Sequence, residues 1–340
     1  MKTPVALLGL LVCAVSAVAQ DAAVPVVTPA ARLELLDAEQ LQKAIDALRQ
    51  GHVRGASVDE TALTRATLRG LLEGLAPGAE LTGELTAPAA ESPFRSEVLD
   101  DRAGYIRLGA LQSENVAQLD AALREFTEQK VQGVVLDLRA TPESADFIVA
   151  AQVAERFCAP GTALFSLVAP APAAARDFVS SSAPLYRGVL VVLIDEDTSG
   201  AAEALAAALR WNAKALLVGT RSSGRCVEFT MLPLGGGQNL RLASAEVRVA
   251  GQSVYPRGLR PDIEVPQDAE VREIILAEAL ETGMAPFVFE RERAQFNEAA
   301  LVAGTNPEID REPSPSGFVD RPLQRAVDLV TAVRLFRKPD

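Results

Sequence analysis

Apolar and polar positions along the chain follow two periods, one typical of helices and one typical of buried strands. Apolar residues recur at mostly helical spacing over 33–50 and again over 63–75, which predicts two amphipathic helices. From residue 104 onward, short β-branched runs alternate with helical stretches. Strands and helices that alternate need crossover connections, so this part of the chain predicts an α/β fold with a mostly parallel sheet.

The expected elements of this core lie between residues 104 and 265. Strands are predicted over 104–111, 131–138, 188–195 and 215–219, and helices over 113–126, 144–157 and 201–211. The segment 231–249 predicts two strands joined by a turn at Gly235-Gly-Gly237. Beyond the core, helical patterns cover 271–280 and 323–335.

Composition limits the partners that the chain can have. Its 340 residues are 49% hydrophobic, which is enough for a substantial core in one or two domains. The formal net charge is −12 and the pI is about 4.8. An acidic surface argues against nucleic-acid partners and against binding to anionic membrane faces.

The first residues have the pattern of a targeting segment. Lys2 precedes an apolar run over 5–15, and residues 17–19 form an A-x-A site, so we expect a signal peptide cleaved after Ala19. The mature protein would then be periplasmic or secreted. The apolar run is too short for a stable membrane-spanning helix, and no other stretch qualifies as one. An uncleaved anchor and a lipoprotein attached through Cys13 are the alternatives.

Cleavage there would leave two cysteines, Cys158 and Cys226. An even number in an exported protein permits a disulfide between them. The alternative is that both are small buried apolar side chains. The spacing of the two residues does not decide between these possibilities.

Three segments of the core carry a family resemblance. The run Gly188–Asp195 leads into Glu196-Asp-Thr-Ser-Gly-Ala-Ala-Glu203, Thr220-Arg-Ser-Ser-Gly-Arg225 follows, and the core closes with Pro261-Asp-Ile-Glu-Val265. This layout resembles the tail-specific, or C-terminal processing, serine peptidases. Their motifs have the form T-A-S-A-A-E and T-F-G-K-G, with a serine nucleophile and a lysine base on a crotonase-like core. The resemblance implies that same α/β core here.

The resemblance also implies a division of the chain. We expect a signal peptide over 1–19, an N-terminal helical segment and linker over 20–96, the peptidase-like core over 97–265, and a C-terminal extension ending in a helix over 266–340. Many family members carry a PDZ domain between the helical segment and the core. Only the short connector 83–96 stands there, so we expect that module to be absent.

The positions that carry catalysis in this family hold different residues here. Alignment places Gly200 at the nucleophile and Arg225 at the base, yet glycine has no hydroxyl and arginine stays protonated. Phe229 stands where active members often have a glutamine that holds the lysine amine. Glu143 and Ser144 replace the paired glycines of the oxyanion loop, where a carboxylate would oppose negative charge. These departures predict a catalytically inactive relative that binds peptides or proteins, or serves as a structural subunit.

The competing hypothesis is an active serine peptidase with a displaced nucleophile. Ser199, Ser222 or Ser223 would then act with an unfamiliar base, although a serine at position 199 also suits a helix N-cap. His52 is the only histidine and lies in the N-terminal helical segment, and Lys214 lies at the opposite end of a strand from the expected base. An unrelated crotonase-type acyl-CoA enzyme is a third hypothesis, against which the signal peptide counts.

We expect neither a metal ion nor a cofactor. No histidine or cysteine cluster has zinc spacing, and Gly235-Gly-Gly237 lacks the lysine of a phosphate loop. Asp195, Glu196 and Asp197 are interpreted as a turn at a strand end, although carboxylates in such a turn could hold a cation.

Overall fold

The structure is a computed structural model that describes residues 36–51, 59–83, 92–100, 102–139, 141–171, 173–289 and 317–336. The expected signal peptide, His52 and most of the connector 83–96 lie outside the described residues. Contacts divide the chain into two compact units, Met1–Gly70 and Leu71–Asp340. The mixed α/β fold class is confirmed, with helical segments before and after the core in the sequence.

The smaller unit contains α1 (Ala38–Gly51) and the first part of α2 (Glu60–Leu75). Asp37 Oδ1 accepts a hydrogen bond from the backbone N–H of Gln40 at 2.8 Å, and the Gln40 side chain accepts from the N–H of Asp37 at 3.0 Å. This reciprocal cap satisfies amides that the first helical turn leaves free. The two predicted N-terminal helices are therefore present.

A six-stranded sheet forms the centre of the larger unit, with strand order β12-β8-β7-β4-β3-β2. Its strands are β2 (Arg95–Leu99), β3 (Ala103–Arg107), β4 (Gly133–Asp137), β7 (Val189–Ile194), β8 (Leu216–Gly219) and β12 (Ile263–Glu264). β2 and β3 pair antiparallel, and all other neighbours pair parallel. The mostly parallel sheet predicted from the sequence is thus confirmed.

Helices cover both faces of this sheet. One face packs against α3 (Ser113–Glu128), α4 (Phe147–Glu155) and α5 (Ala201–Asn212), and the other against α6 (Ala269–Thr282), α7 (Ala285–Val288) and α8 (Arg321–Phe336). Val134 and Leu136 join the first core and Val135 joins the second, because successive side chains of a strand point to opposite faces. Among the described helices, none has the length and apolar character needed to cross a bilayer.

A second sheet is antiparallel and was not predicted as a sheet. Its strands are β1 (Ala79–Thr82), β5 (Ala163–Val168), β6 (Arg176–Val179), β9 (Val227–Gly235), β10 (Gln238–Val249) and β11 (Gln252–Ser253). The predicted glycine turn joins β9 to β10, and Gly236 and Gly237 both have positive φ, which glycine adopts at no steric cost. This sheet places β1 and β10 next to the segments that carry Glu143 and Arg225.

Candidate functional site

The turn between β7 and α5 holds the nucleophile-equivalent position. Gly200 is the N-cap of α5, with φ 58° and ψ −124°. A Cβ at this position would lie 2.5 Å from the carbonyl oxygen of Ser144, closer than side-chain carbons approach a backbone oxygen. Positive φ is also strained for any residue with a Cβ. Both the conformation and the space therefore require glycine here.

The backbone amide that follows Gly200 is already occupied. The N–H of Ala201 donates to the carbonyl of Ser144 at 2.9 Å. At a nucleophile on a strand-to-helix turn, the N–H of the next residue normally belongs to the oxyanion hole. An oxyanion would have to displace the Ser144 carbonyl to reach that donor. The Ser144 hydroxyl accepts from the N–H of Asp146 at 3.0 Å, which fixes this loop in place.

Arg225, at the base-equivalent position, belongs to a group of four charged side chains that we call the ion cluster: Glu80, Glu143, Arg225 and Arg241. Arg241 lies 2.7 Å from each of the two carboxylates, and Arg225 lies 3.2 Å from Glu80 and 3.4 Å from Glu143. Each carboxylate is thus shared by both guanidinium groups. The base-equivalent and oxyanion-equivalent side chains neutralise one another.

Phe229 lies beneath this cluster rather than in the core. The guanidinium carbon of Arg241 is 3.7 Å from the centre of its ring, and that of Arg225 is 5.6 Å away. Phe229 is only partly buried. The ring face attracts both cations, which is the cation–π arrangement.

Two members of the ion cluster, Glu80 and Arg241, were missed by sequence reasoning. They are cross-strand partners in the antiparallel pairing of β1 with β10. Burial alone would lower the pKa of Arg241, but its hydrogen bonds to Glu143 and Glu80 and their charges outweigh burial and raise it. The cluster therefore holds permanent cations where the family needs a neutral amine.

We expect Arg241→Met to lower the free energy of unfolding by about 1–2 kcal/mol, because it removes two close ion pairs and a ring contact. The matched variant Arg225→Met should lose less, since its ion pairs are longer and its side chain is more exposed. Urea unfolding measures both. Added salt should reduce the difference in the free energy of unfolding between the parent and each variant. Equal losses of stability in the two variants would contradict this ranking.

Two candidate displaced nucleophiles are held by a buried carboxylate. Glu203 accepts hydrogen bonds from the hydroxyl of Ser222 at 2.5 Å, from that of Ser223 at 3.2 Å and from the N–H of Gly224 at 2.8 Å. Burial raises the pKa of Glu203, and the bond from Ser222 opposes this most strongly. The Ser222 hydroxyl also accepts from the N–H of Leu259 at 2.7 Å. These bonds fix the loop that carries Arg225.

Ser199 is 6% exposed and precedes the helix cap, so its interpretation as an N-cap was wrong and Gly200 takes that place. Within the described residues, which do not include His52, no lysine amine is hydrogen bonded to the hydroxyl of Ser199, Ser222 or Ser223. The Nζ of Lys214 instead donates to the carbonyl of Trp211 at 2.9 Å.

An arginine forms ion pairs with the acidic turn at the end of β7. Arg272, from α6, forms close ion pairs with Asp195 and Asp197. Burial raises the pKa of Asp195, and the charge of Arg272 is the main opposing influence. In the described part of the chain, no group of three or more histidine, cysteine or acidic residues could hold a metal ion.

The possible disulfide is not present in the structure. Cys158 and Cys226 are free, and each is buried in the apolar core that packs on α3, α4 and α5. Burial raises the pKa of the Cys158 thiol to about 11. Both side chains therefore behave as small apolar core residues.

Comparisons with known proteins agree with the motifs. Residues 102–265 match the sequence model of Peptidase family S41. The carboxyl-terminal-processing protease of Synechocystis is 27% identical over 225 residues, which cover 62% of this chain and 51% of that protein. The carboxy-terminal-processing protease of Bartonella bacilliformis is 30% identical over 173 residues, which cover 48% of this chain and 39% of that protein.

Among solved structures, the photosystem II D1 C-terminal processing protease is 26% identical, with a TM-score of 0.43. The match covers 56% of this chain and 48% of that one. Among the first curated relatives, the matched part covers between 36% and 51% of their length. The chain thus spans about a third to a half of the curated relatives that it matches.

Proposed function

We propose that this protein is a relative of the C-terminal processing peptidases that has lost catalysis and binds extended peptide segments of other proteins. The relationship rests on the match of residues 102–265 to Peptidase family S41. The observation that carries the loss of catalysis is the position of the Ser144 carbonyl. It accepts the N–H of Ala201 and occupies the space that a side chain at Gly200 would need.

Electrostatics at the site supports the same conclusion. Arg225 cannot take a proton from a nucleophile, because a guanidinium stays charged at accessible pH. Glu143 places a carboxylate in the loop that would face a developing oxyanion, where negative charge opposes the transition state. The ion cluster satisfies these two side chains with each other, with Glu80 and with Arg241.

A groove beside the Ser144 loop supports the binding part of the proposal. Its volume is about 330 Å³, and Ile148, Phe178, Arg176 and Glu228 are among the residues that line it. Ile148 is 64% exposed, so the groove presents a large apolar side chain to solvent. β6 borders this groove at the edge of its sheet, and a sheet edge can pair with an added extended strand.

Location and domain division are part of this proposal. We propose that residues 1–19 are a cleaved signal peptide and that the mature protein is periplasmic or secreted. The segments 20–96, 97–265 and 266–340 would then be the helical segment with its linker, the peptidase-like core and the C-terminal extension. The mass of the protein purified from an exporting host reports cleavage after Ala19.

The proposal predicts that the purified protein retains an unfolded, carboxymethylated protein without cutting it. Binding is measured by biolayer interferometry and cleavage by mass spectrometry of the same mixture. Ile148→Glu should weaken binding at least tenfold, because it replaces the exposed apolar side chain of the groove with a charge. Trp211→Glu, at a comparably exposed apolar residue elsewhere, is the matched control and should bind like the parent. Equal binding by the two variants would show that the groove is not the binding site.

The second candidate function is an active serine endopeptidase using Ser199, Ser222 or Ser223. Cleavage by the parent that disappears in Ser199→Ala would establish a displaced nucleophile and overturn the proposed loss of catalysis. We expect the parent and Ser199→Ala to show the same background. Ser222→Ala is a poor replacement for that control, because the Ser222 hydroxyl also bonds Glu203 and Leu259.

A further inference from the structure

Two arginines stand opposite one another on β2 and β3, at the edge of the parallel sheet farthest from β12. Arg95 and Arg107 are direct cross-strand partners in the antiparallel pairing, and Glu97 with Tyr105 is the next pair on the same face. Like charges directly opposite on neighbouring strands are destabilising. A pair of this kind calls for a negative group between or beside the two guanidinium groups.

Arg107 is 4% exposed, which is exceptional for an arginine without a close ion pair, and the charge of Glu97 acts on it only from a longer distance. Its guanidinium carries five N–H donors. The described residues offer one acceptor, the carbonyl of Leu276 at 3.3 Å from Nη1, and leave Nε without a partner. In the described part of the chain, no carboxylate forms a close ion pair with the buried Arg107 or with the exposed Arg95. A buried charge normally has both an ion-pair partner and hydrogen bonds to its remaining polar atoms.

These side chains line a cavity of about 170 Å³ between the β2–β3 pair and the end of α6. Arg95, Glu97, Tyr105, Arg107 and Met284 are among the residues around it. The Oε1 of Glu97 accepts from the N–H of Met284 at 2.8 Å, which fixes the carboxylate at the cavity wall. Its Oε2 accepts no hydrogen bond within the described residues. The cavity thus presents two cationic side chains, the positioned carboxylate of Glu97 and the exposed side chain of Glu281.

We propose that this cavity binds a free α-amino acid as its zwitterion, with the carboxylate on Arg107 and Arg95 and the ammonium on Glu97. Arginine forks bind carboxylates through parallel hydrogen bonds, and a bound carboxylate would supply the acceptors that Arg107 lacks. A cavity of this size is below that of pockets for drug-sized ligands, so it suits a molecule with few atoms.

The charges of the lining favour a zwitterion over a phosphate. Glu97 lies on the same strand face as Arg95, two residues away, so a dianion held by the arginines would also meet a carboxylate. A zwitterion matches both signs at once, with its two charged groups separated by a single carbon. The site is separate from the peptidase-like motifs, and it would exist whether or not the protein hydrolyses peptides.

Calorimetric titration of the full protein with each standard L-amino acid tests this proposal. At least one amino acid should bind one-to-one, while acetate, methylammonium and inorganic phosphate bind at least tenfold more weakly. Arg107→Met should weaken that binding tenfold or more. Arg102→Met is the matched control, because Arg102 is an exposed arginine at the turn between the same two strands. It should bind like the parent.

Glu97→Gln provides an independent variant that keeps an acceptor for the N–H of Met284. It should weaken amino-acid binding at least tenfold without weakening the binding of acetate, because the ammonium contact is lost while a carboxylate that repels anions is removed. It also keeps the proposal testable if Arg107→Met fails to fold. Absence of saturable binding for every amino acid at millimolar concentration would overturn the proposal. Phosphate binding tighter than any amino acid, or amino-acid binding that survives Arg107→Met, would overturn it as well.

Discussion

Replacing Arg139 with methionine is expected to lower the free energy of unfolding by about 3–5 kcal/mol at neutral pH, because it leaves two buried carboxylates without their shared cation. Arg139 is 3% exposed and lies between Asp137 and Asp320. Its Nη2 is 2.7 Å from the Asp137 carboxylate and 2.8 Å from that of Asp320. The hydroxyl of Tyr105 donates to Asp137 at 2.9 Å and completes the network.

This network connects α8 to the parallel sheet. Asp137 ends β4, whereas Asp320 precedes α8 and accepts from the N–H of Leu323 at 3.0 Å. The apolar residues of α8 then pack on the sheet through Leu323, Ala326 and Val330. Loss of Arg139 therefore weakens both the electrostatic contact and the position from which this packing starts.

The pH dependence of the loss follows from Asp137. Burial would raise the pKa of its carboxyl, but the charge and hydrogen bonds of Arg139 outweigh burial and lower it. A lowered pKa gives stability that is present above the unfolded value of about 3.9 and is lost as the pH falls through the folded value. Without Arg139, burial raises the same pKa, and the stability contribution of Asp137 reverses in sign. The difference in the free energy of unfolding between the parent and Arg139→Met should thus become smaller as the pH falls.

Urea unfolding from neutral pH down to about pH 4 measures this difference. Arg124→Met, at an exposed arginine of α3, is the matched control and should change stability little, since arginine and methionine have similar helix propensities. A loss in Arg139→Met as small as in the control would show that the buried network contributes nothing net. A loss that grows on acidification would contradict the assigned direction for Asp137.

The sequence was sufficient to predict the parallel sheet and most of the helices that cover it. Strands such as Val189–Ile194 are continuous apolar runs, because both of their faces are buried, and such runs stand out from the helical stretches between them. Six of the described strands were not predicted: β1, β2, β5, β6, β11 and β12. Each has only two to six residues. β1 and β6 lie at the edges of their sheet and are partly exposed, whereas β5 lies between β10 and β6 and Ser166 interrupts its apolar residues.

The departures at the candidate site were predictable where a motif marked them and unpredictable where only the fold brings residues together. Gly200 and Arg225 stand at fixed distances from recognisable segments, so their positions followed from alignment. Glu80 and Arg241 lie far apart in the chain and meet through the register of β1 with β10. Arg272 reaches the acidic turn from a helix outside the core in the same way. Pairings of this kind carry no local sequence signal.

Restoring the two family residues alone is expected to leave the protein without activity. In Gly200→Ser/Arg225→Lys, the serine would have to adopt a positive φ, at a cost of about 1–3 kcal/mol in stability, and its Cβ would meet the Ser144 carbonyl. The lysine would lie between Glu80 and Glu143. Opposite charges favour the protonated amine, so it would not accept the proton of the serine. The N–H of Ala201 would remain occupied.

Activity should appear only when the loop that carries Glu143 and Ser144 is changed as well. Adding Glu143→Gly removes one of the carboxylates that would keep the lysine charged. Adding Ser144→Gly removes the hydroxyl that accepts from Asp146 and lets the backbone turn its carbonyl away from Ala201. We expect this fourfold variant to release fluorescence from a quenched unfolded substrate above the parent background. The threefold variant that keeps Gly200 is the matched control and should stay at background, since it has no hydroxyl at the nucleophile position. Activity in the double variant would show instead that the Ser144 carbonyl yields to a substrate without help, and the closed amide would then not explain the loss of catalysis.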